Sequence, residues 1–137
     1  MDLKRIKERI RDEEGLRLKP YKDSLGILTI GYGFRLDKLR LSNVSAEIIL
    51  NDYVKWLQED LEALEWYRGL SESVKEIIYE MSYQIGISGM LKFKKMIDLI
   101  NLKDYEGASK EMRNSEWYKQ TPNRVKRLVE RMKNVKS

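Results

Sequence analysis

The sequence predicts an α+β fold in one domain spanning residues 1–137. A small β lobe over about 15–43 and a larger helical lobe over about 44–137 are joined by a long helix, and an N-terminal helix over 3–14 packs on the helical lobe. Three patterns lead to this reading. Leu3, Ile6 and Ile10 fall on one face of a helix. Leu28, Ile30 and Tyr32 alternate with Thr29, Gly31 and Gly33, the two-residue period of a strand. From Ile49 onward the helical period returns with Tyr53, Trp56, Leu57, Leu61 and Leu64 on one face.

Local punctuation places the elements. Gly15 is a natural stop for the first helix, which puts Glu14 in its last turn. A carboxylate at that end opposes the helix dipole when ionised, so Glu14 does nothing there for the helix. Asp23-Ser24-Leu25-Gly26 carries Asp first and Gly fourth, the signature of a type I turn leading into the strand. Gly31 and Gly33 leave one face of that strand bare enough for close approach by a ligand or another backbone. The long helix is expected to start at a Ser45 cap flanked by Val44 and Ile49. Ser73 and Glu76 form a capping-box pattern for the next helix, and Gly86 and Gly89 are expected to break it. Leu91–Ile100 and Tyr105–Met112 read as further helices. Thr121-Pro122 opens the last one, whose buried stripe is Val125, Leu128, Val129 and Met132.

Composition narrows the chemistry. With 42% hydrophobic and 36% charged residues the chain is an ordinary globular sequence with a highly charged surface. It contains no cysteine and no histidine. Disulfides, Ser-His-Asp and Cys-His catalysis and His-ligated metals are therefore excluded, and acid–base work falls to carboxylates, tyrosine or lysine. The net charge of +5 suits nucleic acid, acidic lipid or an anionic cell wall, and charge alone does not choose among them. The start, Met1-Asp2-Leu3-Lys4-Arg5-Ile6-Lys7, lacks the apolar stretch of a signal peptide. Uncharged runs such as Ser24–Phe34 are too short and too rich in glycine to span a bilayer, so no membrane insertion is expected.

Glu14, Asp23 and Thr29 lie within one helix end, turn and strand. That layout can aim two carboxyl groups and a hydroxyl at one gap, which is the equipment for cleaving a glycosidic bond. One carboxyl must give a proton to the departing oxygen, and the other must activate a water on the opposite face of the sugar. Glu14 is the candidate acid, Asp23 the candidate base, and Thr29 the group that directs the water. Read from spacing alone, the same three residues also fit a solvated helix end, a turn-forming aspartate and a strand threonine.

The run Glu14-Gly15-Leu16-Arg17-Leu18-Lys19, then Tyr21-Lys22-Asp23, Gly26 and Thr29-Ile30-Gly31-Tyr32-Gly33, resembles the catalytic signature of phage-type lysozymes, the endolysins of glycoside hydrolase family 24. The resemblance continues through Tyr83-Gln84-Ile85-Gly86 and Trp117-Tyr118-Lys119-Gln120-Thr121-Pro122-Asn123-Arg124, covering about residues 3 to 132. It implies a lysozyme-like fold and hydrolysis of the β-1,4 bond between N-acetylmuramic acid and N-acetylglucosamine in bacterial peptidoglycan, with inversion at the anomeric carbon. It places the family's glutamate, aspartate and threonine on Glu14, Asp23 and Thr29. Arg124 falls on the family's arginine, a supporting residue expected to pair with Glu14. Tyr83 and Arg35 are the candidate substrate contacts. The resemblance also implies no cofactor or metal, no obligate protein partner, a monomer, and an enzyme held in the host cytoplasm until a holin opens the way to the wall.

The chain departs from the family pattern in two places. Phe34 stands where many relatives have histidine, which reads as a packing change. The segment between Phe34 and Val44 is shorter than in the longer relatives. Two other classes compete with the enzyme: an inactive wall-binding module, and a nucleic-acid binder using Arg124, Arg127 and Arg131 on one helical face with Lys126 and Lys133 nearby.

Overall fold

In a computed structural model, which describes residues 1–136, Asp2 opens helix α1 (Leu3–Glu14) by accepting the Arg5 N–H at 3.2 Å. Gly15 closes it, its N–H reaching the Arg11 carbonyl at 2.9 Å. Glu14 is therefore the last helical residue, as the sequence predicts. The chain then forms an antiparallel sheet in the order β1 (Arg17–Lys22), β2 (Leu28–Gly31), β3 (Phe34–Arg35). Lys22 pairs with Leu28 and Tyr21 with Thr29, while the register slips between Arg17 and Tyr21, the stretch that contains Pro20. Proline has no N–H to give a ladder, so an irregular edge strand is its natural place. Thr29 pairs with Arg35 across the second hairpin, and Ile30 with Phe34.

Seven more helices follow: α2 (Asn43–Glu62), α3 (Glu65–Arg68), α4 (Glu72–Leu91), α5 (Lys94–Asn101), α6 (Tyr105–Arg113), α7 (Glu116–Gln120) and α8 (Pro122–Lys133). The fold is thus α+β and lysozyme-like, with eight helices and one small sheet among the described residues. The chain divides into two compact units, Met1–Ile48 and Ile49–Ser137, with the boundary inside the long α2. Helix α1 falls in the first unit, where the sequence expectation groups it with the helical lobe.

Several boundaries differ from those the sequence suggests. Helix α2 starts at Asn43, because the Ser42 hydroxyl accepts the Ser45 N–H at 3.0 Å and supplies the cap three residues early. Val44 is 69% exposed, and the staple expected around Ser45 has no part in that cap. Helix α4 starts after Ser71, displacing the expected Ser73–Glu76 box; the Lys75 N–H bonds the Ser71 carbonyl at 2.9 Å. Of the two glycines expected to break α4, only Gly86 does, with φ 79° and ψ 161°. Gly89 stays helical, and a Cβ there would lie 3.2 Å from the Ile85 side chain. Helix α5 starts at Lys94, since Leu91 ends α4. Thr121 precedes α8 as expected, but its hydroxyl donates to the Trp117 carbonyl at 3.1 Å and so does not cap the new helix.

The core of the second unit is built from α2 through α8. Leu61, Ile77, Ile78, Met81, Met90, Met96, Ile100, Met112 and the α8 stripe Val125, Leu128, Val129 and Met132 are all buried. The sequence places that α8 stripe correctly. Five of the six methionines lie here, at positions 81, 90, 96, 112 and 132, and Met1 is exposed. Unbranched, polarisable methionine fills the irregular gaps left where short helices meet at varied angles. Truncating any one of these fully buried side chains to alanine costs about 2–5 kcal/mol. Along α2 only Leu61 is fully buried and Leu57 packs on the core, while Ile49, Tyr53 and Trp56 are at least 40% exposed.

Candidate active site

The first unit carries Glu14, Asp23 and Thr29. The hairpin loop between β1 and β2 explains how two of them are held. Asp23 begins the loop: its N–H bonds the Ile27 carbonyl at 2.9 Å, and its own carbonyl accepts the Gly26 N–H at 2.9 Å. Gly26 has φ 78°, so the loop is a turn followed by one left-handed residue, a common three-residue hairpin connection. The Asp23 side chain is fixed by the same loop, Oδ1 accepting the Leu25 and Ile27 N–H groups, each at 2.9 Å. This leaves Oδ2 free of the backbone, and it faces the Arg35 guanidinium, whose Nε lies 4.0 Å away.

Thr29 is the one site residue that is fully covered, at 2% exposure. Its hydroxyl donates to the Ile27 carbonyl at 2.8 Å, which spends its proton and leaves the oxygen lone pairs as acceptors. The Ile27 carbonyl therefore takes bonds from both the Asp23 N–H and the Thr29 hydroxyl. One peptide unit ties the base candidate to the water-directing candidate. Sequence reasoning missed Ile27, and no side-chain signal points to it, because its part is played by the backbone.

Glu14 is exposed and reaches the sheet from the end of α1. Its carboxyl group lies against Gly33: a Cβ at that glycine would stand 2.7 Å from the Glu14 Cδ and closer still to Oε2. Gly33 also has φ 71°, a conformation that disfavours any residue with a Cβ. The bare strand face seen in the sequence thus has a definite occupant. Phe34 packs in a similar way on the other glycine. Its ring lies 2.6 Å from where a Gly31 Cβ would be and meets Tyr32 edge-on, centroids 6.2 Å apart. That supports reading Phe34 as a packing residue.

Tyr83 and Arg124 are carried by the second unit. They line one open pocket of about 280 Å³ together with Leu50, Val54, Tyr79 and Gln84. Tyr83 is 52% exposed on α4, so its ring is available and is not core. Gln84 is held by the Trp117 indole N–H at 3.3 Å, and the Tyr79 hydroxyl donates to the Val54 carbonyl. Two segments that resemble the family far apart in sequence, around Tyr83 and around Arg124, therefore build one wall. Further along α8, Arg131 is taken up by Glu80 at 2.6 Å and Glu76 at 3.8 Å. Of the basic face proposed for nucleic acid, Arg131 is thereby paired with carboxylates.

Comparison with known proteins agrees with this architecture. The family described as phage lysozyme matches residues 11–134, and the chain belongs to that family. It is 30% identical to "Probable T4-type lysozyme 1" of Dictyostelium discoideum, across 90% of this chain and 91% of the relative. It is 25% identical to "Probable T4-type lysozyme 2" of the same organism, over the same shares. A third relative, the "Pre-baseplate central spike protein Gp5" of Enterobacteria phage T4, is 28% identical across 89% of this chain, which matches only 26% of that longer protein. The chain is thus a lysozyme-type glycoside hydrolase by family. No helix among the described residues is long and apolar enough to cross a membrane.

Proposed function

We propose that this protein is an N-acetylmuramidase that hydrolyses the β-1,4 bond between N-acetylmuramic acid and N-acetylglucosamine in bacterial peptidoglycan. Glu14 protonates the leaving oxygen. Asp23 takes a proton from the attacking water, and the Thr29 oxygen accepts the water's second hydrogen and fixes its line of attack. Water adds to the anomeric carbon as the glycosidic bond breaks, so one product carries a new reducing end of inverted configuration. A positioned acid or base contributes about 10²–10⁴-fold to such a reaction.

The observation that supports this reading is the fixing of Asp23 and Thr29 by one hairpin loop, with the Glu14 carboxyl group lying against the nearby Gly33. Asp23 and Thr29 share the Ile27 carbonyl, and Glu14 rests on the Cα of Gly33. Rigid placement matters because orienting reactants accounts for as much as about 7–11 kcal/mol of a barrier. Arg35 faces the free oxygen of Asp23, and the exposed ring of Tyr83 is the surface offered to a sugar face. The biological reading is lysis of a bacterial host by a monomer that waits in the cytoplasm and is released to the wall.

Incubation with purified peptidoglycan tests the proposal. Wild type releases new reducing ends that mass spectrometry identifies as muramic acid, and Glu14→Gln releases almost none. Binding to the wall without any release would assign the chain to the inactive wall-binding class instead.

A further inference from the structure

The second unit carries a larger groove that the proposed chemistry does not use. It encloses about 880 Å³ and is lined by Glu65, Trp66, Ser71, Lys103, Tyr105 and Lys136 among others. A neighbouring groove of about 570 Å³ shares Ser71 and Lys136 with it but is also lined by Glu76, Glu130 and Arg131, so the cationic lining lies in the larger groove, where Lys103 and Lys136 outnumber Glu65. Trp66 is half-buried and stands edge-on to Tyr67, ring centroids 6.4 Å apart at 83°. An indole held in this way offers a firm apolar platform.

Lys103 is the unusual member. Among the described residues it is the only non-glycine with positive φ, at 61°. It sits just past α5, where its N–H bonds the Ile100 carbonyl at 2.9 Å and the Asp104 N–H bonds the Leu99 carbonyl at 2.8 Å. This paired closure of a helix end ordinarily takes glycine, because a Cβ is strained there. Lysine is thus held at the groove against its backbone preference, a pattern associated with binding sites. Its charge also suits a helix C-terminus, which is the purely structural account the test must separate. Lys103 and Lys136 are both exposed, and among the described residues neither enters an ion pair.

We propose that this groove is a second, non-catalytic binding site for an anionic glycan strand. Trp66 packs on the apolar face of a pyranose, Lys103 and Lys136 pair with carboxylates carried along the strand, and Glu65 accepts hydrogen bonds from sugar hydroxyl or amide groups. Naming the strand as peptidoglycan rests on the muramidase reading. Such a site keeps the enzyme on an insoluble substrate between cuts, as linked binding sites do by raising local concentration.

The test uses the full chain carrying Glu14→Gln, so that the wall is not digested, and measures retention on purified sacculi stripped of phosphate-containing polymers. Adding Lys103→Gly and Lys136→Ala together lowers retention about tenfold, the size expected for losing two partly exposed charge contacts. Lys103→Gly alone lowers retention while its melting temperature holds or rises, because glycine relieves the left-handed backbone. Lys103→Asn, which also tolerates that conformation, behaves likewise. With Glu14 intact, both lysine variants turn over a short soluble peptidoglycan fragment of alternating N-acetylglucosamine and N-acetylmuramic acid within twofold of wild type. Retention within twofold of the parent overturns the proposal, as does lysine-dependent retention seen only on sacculi that keep their phosphate polymers. Hydrolysis assays fail or succeed independently of retention, so loss of the muramidase reading and loss of this site are told apart.

Discussion

The carboxyl group of Glu14 rests on the Cα of Gly33, where any side chain at position 33 would occupy its place. The end of α1 and the hairpin after β2 therefore meet at the side chain of the proposed acid. Gly33 serves two demands at once, a positive φ and an absent Cβ.

Gly33→Ala is therefore expected to damage both fold and activity. The strained backbone and the collision with Glu14 cost about 1–3 kcal/mol each at most. Urea denaturation should show that loss, and kcat on peptidoglycan should fall at least tenfold because Glu14 is pushed off its seat.

Thr29 separates a hydroxyl effect from a packing effect. Thr29→Val keeps shape but loses the bond to the Ile27 carbonyl, at a stability cost of about 1 kcal/mol. Thr29→Ser keeps the hydroxyl and loses a buried methyl, at a similar cost of about 1 kcal/mol. If the oxygen directs the water, Val abolishes most turnover and Ser stays within a few-fold of wild type, although melting temperatures are alike.

Arg35 distinguishes positioning from substrate binding. Its contact with Asp23 is long, at 4.0 Å, and partly exposed, so Arg35→Ala changes stability by less than about 1 kcal/mol. The two backbone N–H bonds to Asp23 Oδ1 remain. Steady-state kinetics should show a drop of a few-fold in kcat with KM nearly unchanged, and added salt should mimic it in wild type. A rise in KM alone would make Arg35 a substrate contact.

How far the sequence reveals this site depends on what each residue contributes. Glu14, Asp23 and Thr29 are legible as candidates because side-chain type, turn chemistry and strand alternation all mark them, and the density of the motif adds the family. The end of α1, the Asp23–Gly26 turn and the α8 stripe follow from local rules that tertiary packing leaves alone. The starts of α2 and α4 do not, because adjacent serines compete as caps, and hydrogen bonding of Ser42 or the path of the chain at Ser71 decides between them. The Ile27 carbonyl and the seat on Gly33 are invisible beforehand, since one is backbone and the other is an absence of atoms. Gly89 shows the converse: a glycine that looks like a break stays helical, and it sits tight against Ile85.

Alkaline stability reports on Tyr67 in the core. Burial, then the nearby Glu62, raise its hydroxyl to about 12 from an ordinary 10, and the hydroxyl donates to the Lys75 carbonyl at 3.3 Å. The folded state therefore holds this proton more tightly than the unfolded chain. The stabilisation is complete below pH 10 and is lost as pH rises toward 12, by on the order of 2–3 kcal/mol. Denaturation curves between pH 9 and 12 should fall more steeply for wild type than for Tyr67→Phe.

The most direct test of the whole account is the kcat/KM of Glu14→Gln on purified peptidoglycan, measured beside its melting temperature. The amide keeps the shape that rests on Gly33 but has no proton to give, so activity should fall about 10²–10⁴-fold with the fold intact. A folded Glu14→Gln enzyme that keeps wild-type kcat/KM within a few-fold would contradict the assignment of Glu14 as the acid.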